Sequence, residues 1–165
     1  MAHQWRIIMN RRSLSFAGIS LAALGLGMRF AEAEVFEITK SDEDWKKILP
    51  PESFEVLRHE GTERPFTSKL LDEHRKGTFS CAGCDLAVFS SELKFDSGTG
   101  WPSFFDTLPN AVNKKDDNSL LATRTEVHCR RCGGHFGHVF EDGPKPTGLR
   151  YCMNGVALKF AAATA

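Results

Sequence analysis

The chain has 165 residues, 41% apolar and 25% charged, which suits one globular domain with a buried core and excludes a disordered or fibrous protein. Its 21 basic and 21 acidic groups cancel overall, but residues 1–33 hold Arg6, Arg11, Arg12 and Arg29 against Glu32, leaving 17 basic and 20 acidic groups in the remainder. A body slightly on the acidic side lacks the basic face that nucleic acid requires, so no nucleic-acid partner is expected.

The first 33 residues read as a targeting segment. "MAHQWRIIMNRR" is basic and free of acids, Phe16 to Met28 is an apolar stretch of 13 residues, and Ala31-Glu32-Ala33 fits a small-residue cleavage site. Thirteen residues fall short of the about 20 that span a bilayer, so no stable membrane insertion is expected. Arg11-Arg12 followed by Ser13-Leu14 resembles a twin-arginine signal. Residues 1–33 are therefore expected to direct export to a bacterial periplasm. An uncleaved anchor and a mitochondrial presequence are the alternatives. The functional domain is expected at 34–165.

Next come two short helices. Ser41 is placed to cap "DEDWKKIL", whose first turn is acidic, and Pro50-Pro51 ends that helix and starts another. Trp45, Ile48, Phe54 and Leu57 are expected to form the buried stripe. From Gly77 onward the sequence breaks into short apolar runs separated by Gly, Pro, Asn and Asp, the pattern of strands, with "KKDDNS" (114–119) as a solvated hairpin tip.

Four of the five cysteines form two CxxC pairs, Cys81/Cys84 and Cys129/Cys132. Zn(II) favours tetrahedral thiolate coordination, and two such turns supply four sulfurs, so one structural zinc is expected. Each turn needs a residue tolerant of positive φ after its second cysteine, and Asp85 and Gly133 qualify. Two structural disulfides are the alternative in an oxidising compartment. A redox CxxC is another, and would need one pair free of metal. A folded protein exported by the twin-arginine route would carry metal loaded before export, so the two expectations are compatible.

Cys152, in "GLRYCMNG", is left for chemistry or for simple burial. If "RYCMNGVALKF" is one strand, Arg150, Cys152 and Asn154 share a face with Val156, Leu158 and Phe160. A neighbouring cation favours the reactive thiolate. His135 and His138 in "GGHFGHVF" would face opposite ways in a regular strand, but Gly137 permits a bulge that aims both into one cavity. Imidazole suits proton transfer near neutral pH. Each histidine also reads as an ordinary structural residue. Trp101, in "KFDSGTGWPSFF", is either a core side chain in a turn or the wall of a pocket for a small apolar group such as a thioether methyl.

Taken together, "GTERPFT" (61–67), "CAGC" (81–84), "KFDSGTGWPSF" (94–104), "CRRCGGHFGHVF" (129–140) and "GLRYCMNG" (148–155) resemble the B-type peptide methionine-R-sulfoxide reductases. The resemblance implies a mainly β domain, two antiparallel sheets with short N-terminal helices, and a structural four-cysteine zinc site away from the active site. It implies reduction of methionine-R-sulfoxide in oxidised proteins or peptides. It places the nucleophile on Cys152, the acid on His138 with His135 beside it, a residue holding water or oxygen on Asn154, thiolate support on Arg150 and the substrate-methyl contact on Trp101. Many members carry a resolving cysteine where this chain has Thr99. Four cysteines for zinc and one for attack leave none. On that count this chain departs from the common family pattern and is expected to be a one-cysteine enzyme whose sulfenic acid is reduced by thioredoxin or another thiol, and a monomer is expected. The remaining alternative is a zinc-ribbon-like protein- or RNA-binding module.

Overall fold

Two antiparallel sheets meet across a layer of aromatic side chains. The structure, a computed structural model, describes residues 34–120 and 122–164. The expected targeting segment, 1–33, lies outside the described residues.

Helix α1 (Asp42–Ile48) begins where the Ser41 hydroxyl accepts the Asp44 N–H, a cap that contributes about 1 kcal/mol, with Asp42, Glu43 and Asp44 in the first turn. Helix α2 (Pro51–His59) starts with proline at its first position, where no N–H is needed, and ends at Glu60 in the left-handed conformation. Trp45, Phe54 and Leu57 are buried as expected, but Ile48 is 56% exposed and Leu49 is buried instead. In a helix, the residue four after Trp45 lies closer to its face than the residue three after. The chain also leaves α1 at Leu49, so that side chain turns inward.

Strands β1 (Gly77–Cys81), β2 (Ala87–Ser90) and β9 (Leu158–Ala162) make a three-stranded sheet in the order β2-β1-β9. A six-stranded sheet runs β3 (Lys94–Phe95), β4 (Ser103–Phe104), β8 (Arg150–Met153), β7 (His135–Phe140), β6 (Arg124–Cys129) and β5 (Val112–Asp117). Phe79 and Phe89 of the smaller sheet contact Phe104 of the larger one, the second pair stacked with centroids 4.1 Å apart. All three rings are fully buried, each worth roughly 1.5–3 kcal/mol of transfer free energy. Helix α2 packs on this body through Ser53 Oγ, which donates to the Val156 carbonyl, and Arg58 Nη1, which donates to the Cys132 carbonyl. Among the described residues no helix is long and apolar enough to cross a membrane.

Two strand expectations need correction. "RYCMNGVALKF" is not one strand: a 3-10 turn at Gly155–Ala157 breaks it, and β8 and β9 belong to different sheets. Arg150 and Cys152 do share a face while Tyr151 and Met153 are buried on the other, but Asn154 stands in the break. "KKDDNS" is not all hairpin tip, since β5 runs through Asp117 and pairs with β6 along its length.

Candidate active site and metal centre

The two CxxC turns have the same backbone pattern. Asp85 N–H donates to the Cys81 carbonyl and Gly133 N–H to the Cys129 carbonyl, while Cys81 and Cys129 N–H donate to Leu86 and Gly134. Asp85 and Gly133 take φ of 57° and 68°, the left-handed conformation that the turn demands. At Gly133 the Phe36 ring also fills the place a Cβ would need.

All four sulfurs lie within 4.8 Å of one another, positioned to bind a metal ion. Cys81–Cys132 and Cys84–Cys129 are separated by 3.7 and 3.5 Å. A tetrahedron with zinc–sulfur bonds of about 2.3 Å has edges of about 3.8 Å, so the set fits such an ion. Thiol–thiol hydrogen bonds hold Cys84 and Cys129 below the ordinary thiol range and push Cys81 and Cys132 above it. None of the five cysteines is disulfide-bonded. Neither CxxC pair stands apart as a redox dithiol.

Cys152 sits elsewhere, on β8 between β4 and β7. Backbone pairing sets Ser103 opposite Cys152, Cys152 opposite His138, His138 opposite Glu126 and Glu126 opposite Lys115. One row of polar side chains therefore crosses five strands, because residues paired directly across antiparallel strands share a face.

The register shifts between Val127 and His128, where β7 carries the extra residue Phe136 opposite its partner strand. This bulge lies at Gly137, whose φ is 150° and whose missing Cβ leaves room for the Cys152 carbonyl. It brings the His135 and His138 rings to 5.5 Å between centroids.

A cavity of about 180 Å³ is lined by Cys152, His138, Trp101, Asn154, Arg124 and Phe140, so four of the six non-metal residues singled out from the sequence line it, while Arg150 and the buried His135 do not, and the bulge aims only His138 into the cavity. Arg150 is on the same face as Cys152, but Asp142 takes its guanidinium in two hydrogen bonds of 2.8 and 2.9 Å, with Phe140 4.5 Å below it. Burial pushes the Cys152 thiol up, and the positive charge of Arg150 works against it.

His138 Nε2 lies 2.7 Å from Asp117 Oδ2. Burial lowers its pKa, while the Asp117 hydrogen bond works in the opposite direction. His135 is buried behind it, with Nδ1 2.8 Å from Glu126 Oε1. Burial raises the Glu126 carboxyl, but hydrogen bonds from His135 and Lys115 outweigh this and hold it below its ordinary value.

The buried Asn154 amide ties two segments together: Oδ1 accepts the Glu63 N–H and Nδ2 donates to the Phe136 carbonyl. Trp101 Nε1 donates to the Glu63 carbonyl.

A family model described as the SelR domain matches residues 49–162. The chain belongs to the MsrB family. Relatives named peptide methionine sulfoxide reductase MsrB include one from Methanosarcina barkeri, 55% identical over 74% of this chain and 87% of its own length. Another, from Leptospira interrogans, is 53% identical over 76% of this chain and 96% of its own length. A third, from Agrobacterium fabrum, is 50% identical over 75% of this chain and 93% of its own. The protein is thus a peptide methionine sulfoxide reductase, which sets aside the binding-module reading.

Within this MsrB fold, sequence reasoning missed Asp117, Glu126 and Glu63. In the sequence Asp117 falls within the expected solvated tip, Glu126 is an ordinary strand acid until its partner strand is known, and Glu63 in "GTERPFT" carries no signal of its role. Glu63 accepts the Gly155 and Val156 N–H groups at 2.5 and 3.2 Å, so it fixes the turn that follows Cys152 as well as the Trp101 indole. The signal available beforehand was period-two alternation in "RTEVHC", which puts Arg124 and Glu126 on one face.

Proposed function

We propose that this protein reduces the R epimer of methionine sulfoxide in oxidised proteins and peptides by a one-cysteine route. The observation that carries this reading is the cross-strand pair Cys152 and His138, both lining a cavity walled by Trp101. Trp101 packs against the substrate methyl. Cys152 Sγ attacks the sulfoxide sulfur as thiolate, the reactive form. The oxygen leaving that sulfur takes a proton. With His138 Nε2 engaged by Asp117, Nδ1 is the nitrogen left to give it.

The balance is one thiol and one sulfoxide giving one sulfenic acid and one thioether. The substrate sulfur gains two electrons and Cys152 loses two. Thr99 occupies the position of the resolving cysteine, 3.8 Å from Cys152 Sγ, so the sulfenic acid waits for an external thiol. Two equivalents of such a thiol, from thioredoxin or a small molecule, return Cys152 to the thiol and release water and a disulfide. His135 supports His138 from behind, Arg150 favours the thiolate, and Asn154 shapes the site next to the sulfur.

Cys81, Cys84, Cys129 and Cys132 would hold one Zn(II), whose contribution is to stabilise the fold; none of the four lines the cavity. The enzyme acts as a monomer, exported to the periplasm by residues 1–33.

Turnover of separated R and S epimers of a blocked methionine sulfoxide, with dithiothreitol as reductant, tests the reading. R-specific activity is expected. Activity confined to the S epimer overturns the stereochemical assignment.

A further inference from the structure

Three hydroxyls beside Cys152 have no part in the chemistry above. Thr99 Oγ1 lies 3.8 Å from Cys152 Sγ, Ser97 Oγ 2.8 Å from Thr99 Oγ1 and 2.7 Å from Ser103 Oγ, and Ser103 Oγ 3.2 Å from the Trp101 carbonyl oxygen. Ser103 is completely buried and faces Cys152 across the β4–β8 pairing.

A carbonyl only accepts, and each hydroxyl has one proton to give. Working back from the carbonyl therefore fixes every proton. Ser103 gives its proton to the Trp101 carbonyl and must accept from Ser97. Ser97, its own proton spent, accepts from Thr99, whose backbone N–H also points at Ser97 Oγ at 3.4 Å. Thr99 then has no proton left, and its oxygen is an acceptor for the Cys152 S–H.

We propose that Ser97, Thr99 and Ser103 form a one-way hydroxyl chain, anchored on the Trp101 carbonyl, that holds resting Cys152 as a thiol and must reverse before Thr99 can donate to a thiolate. The proposal rests on Cys152 being the nucleophile. Reversal makes Ser97 a donor to Thr99 and Ser103 a donor to Ser97, and it takes the hydrogen bond away from the Trp101 carbonyl. Ionisation of Cys152 is thereby linked to the loop that carries the Trp101 indole, and the buried Ser103 has no access to bulk water that would soften the exchange.

The charged and titratable groups facing Cys152 are Arg150 on its own strand with Asp142 attached, His138 on β7, and Arg124 across the cavity from β6; β4 brings none. These act on the thiol whichever way the chain points. Ser97, Thr99 and Ser103 are positioning residues, and their signature is a thiol titration that moves in a direction set by which link is cut.

The test is the pH dependence of iodoacetamide alkylation at Cys152, followed by peptide mapping on the metal-loaded full-length protein. Ser97→Ala removes the acceptor of the Thr99 proton and frees Thr99 to donate to the thiolate, so the alkylation midpoint should fall by about 0.5 to 1 pH unit, the effect of roughly one hydrogen bond. Ser103→Ala should shift it the same way, and carries the test if Ser97→Ala folds poorly. In a Thr99→Val background the Ser97→Ala shift should vanish, because the effect runs only through Thr99. A midpoint that stays or rises in Ser97→Ala and Ser103→Ala overturns the proposal, as does a fall that persists without the Thr99 hydroxyl. Sulfoxide turnover after complete alkylation of Cys152 separates this from the parent reading. Surviving activity removes Cys152 as nucleophile, whereas lost activity leaves the chain to be judged on the midpoints alone.

Discussion

The four-cysteine cluster and the Cys152 site both depend on sulfur, but they are assembled in opposite ways. Each half of the cluster is made by one tight turn of neighbouring residues, and the two turns repeat one hydrogen-bond pattern. The Cys152 site draws Ser103, Cys152, His138, Glu126 and Lys115 from five strands and aligns them only through sheet register. In the cluster, each sulfur has three others within 4.8 Å, whereas Cys152 Sγ has no sulfur partner and meets the Thr99 hydroxyl at 3.8 Å and the Arg150 side chain on its own strand. The first region is suited to holding the chain together and the second to keeping one sulfur available.

The largest expected effect is the complete loss of turnover in Cys152→Ser, with an unchanged unfolding midpoint and one metal per chain. A serine hydroxyl is far less ionised than a thiol at neutral pH, and no metal ligand is touched. Activity above background would move the nucleophile elsewhere and erase the contrast between the regions.

Cys84→Ser should show the reverse, losing metal and stability first. If the lost ligand costs about 3 kcal/mol, a domain of this size should melt roughly 10 °C lower. Calorimetry and metal content check this together. A variant equally stable but inactive would make the metal catalytic.

Thr99→Cys alters neither region's architecture but changes the fate of the oxidised sulfur. With the Thr99 hydroxyl already 3.8 Å from Cys152 Sγ, a thiol there should capture the sulfenic acid as an intramolecular disulfide after one turnover. The native protein should instead trap one dimedone at Cys152. Non-reducing peptide maps distinguish the two. Finding native Cys152 bonded to a cluster cysteine would show that the division into four and one is wrong.

The smallest effect should come from Asp117→Asn. The Asp117 hydrogen bond raises the His138 pKa against burial, so removing it lets burial lower that pKa further. An acid works only while protonated, and activity that depends on His138 is lost as pH rises through its pKa. The alkaline limb of the kcat/KM profile should therefore move to lower pH. A shift to higher pH, or none, would mean that Asp117 does not tune the acid.

What the sequence discloses divides along the same line. The cysteine turns were legible because spacing, Asp85 and Gly133 are local, and so were the Ser41 cap and the Pro50-Pro51 break. Cys152, His138 and Trp101 were legible as chemistry but not as a constellation, since the bulge at Gly137 was only permitted by the sequence. Alternation in "RTEVHC" gives the face of Glu126 but not its role, and Asp117 has no local signal at all, because an acid on a strand acquires its meaning from the residues that register sets beside it, here across the bulge in β7. The break after Met153 was hidden for a similar reason: "MNGVALKF" keeps an alternating pattern while Glu63, about ninety residues earlier, caps the turn that divides it.

The five-strand row makes catalysis cooperative with the sheet itself. A slip of one residue in any pairing would turn an entire strand's side chains over, so the alignment of His138 with Cys152 is either complete or absent. Heating should then produce no long regime of weakened but folded enzyme. Instead, the fraction of active molecules should track the fraction whose central strands remain paired, and loss of activity should coincide with exchange of the β7 and β8 amides.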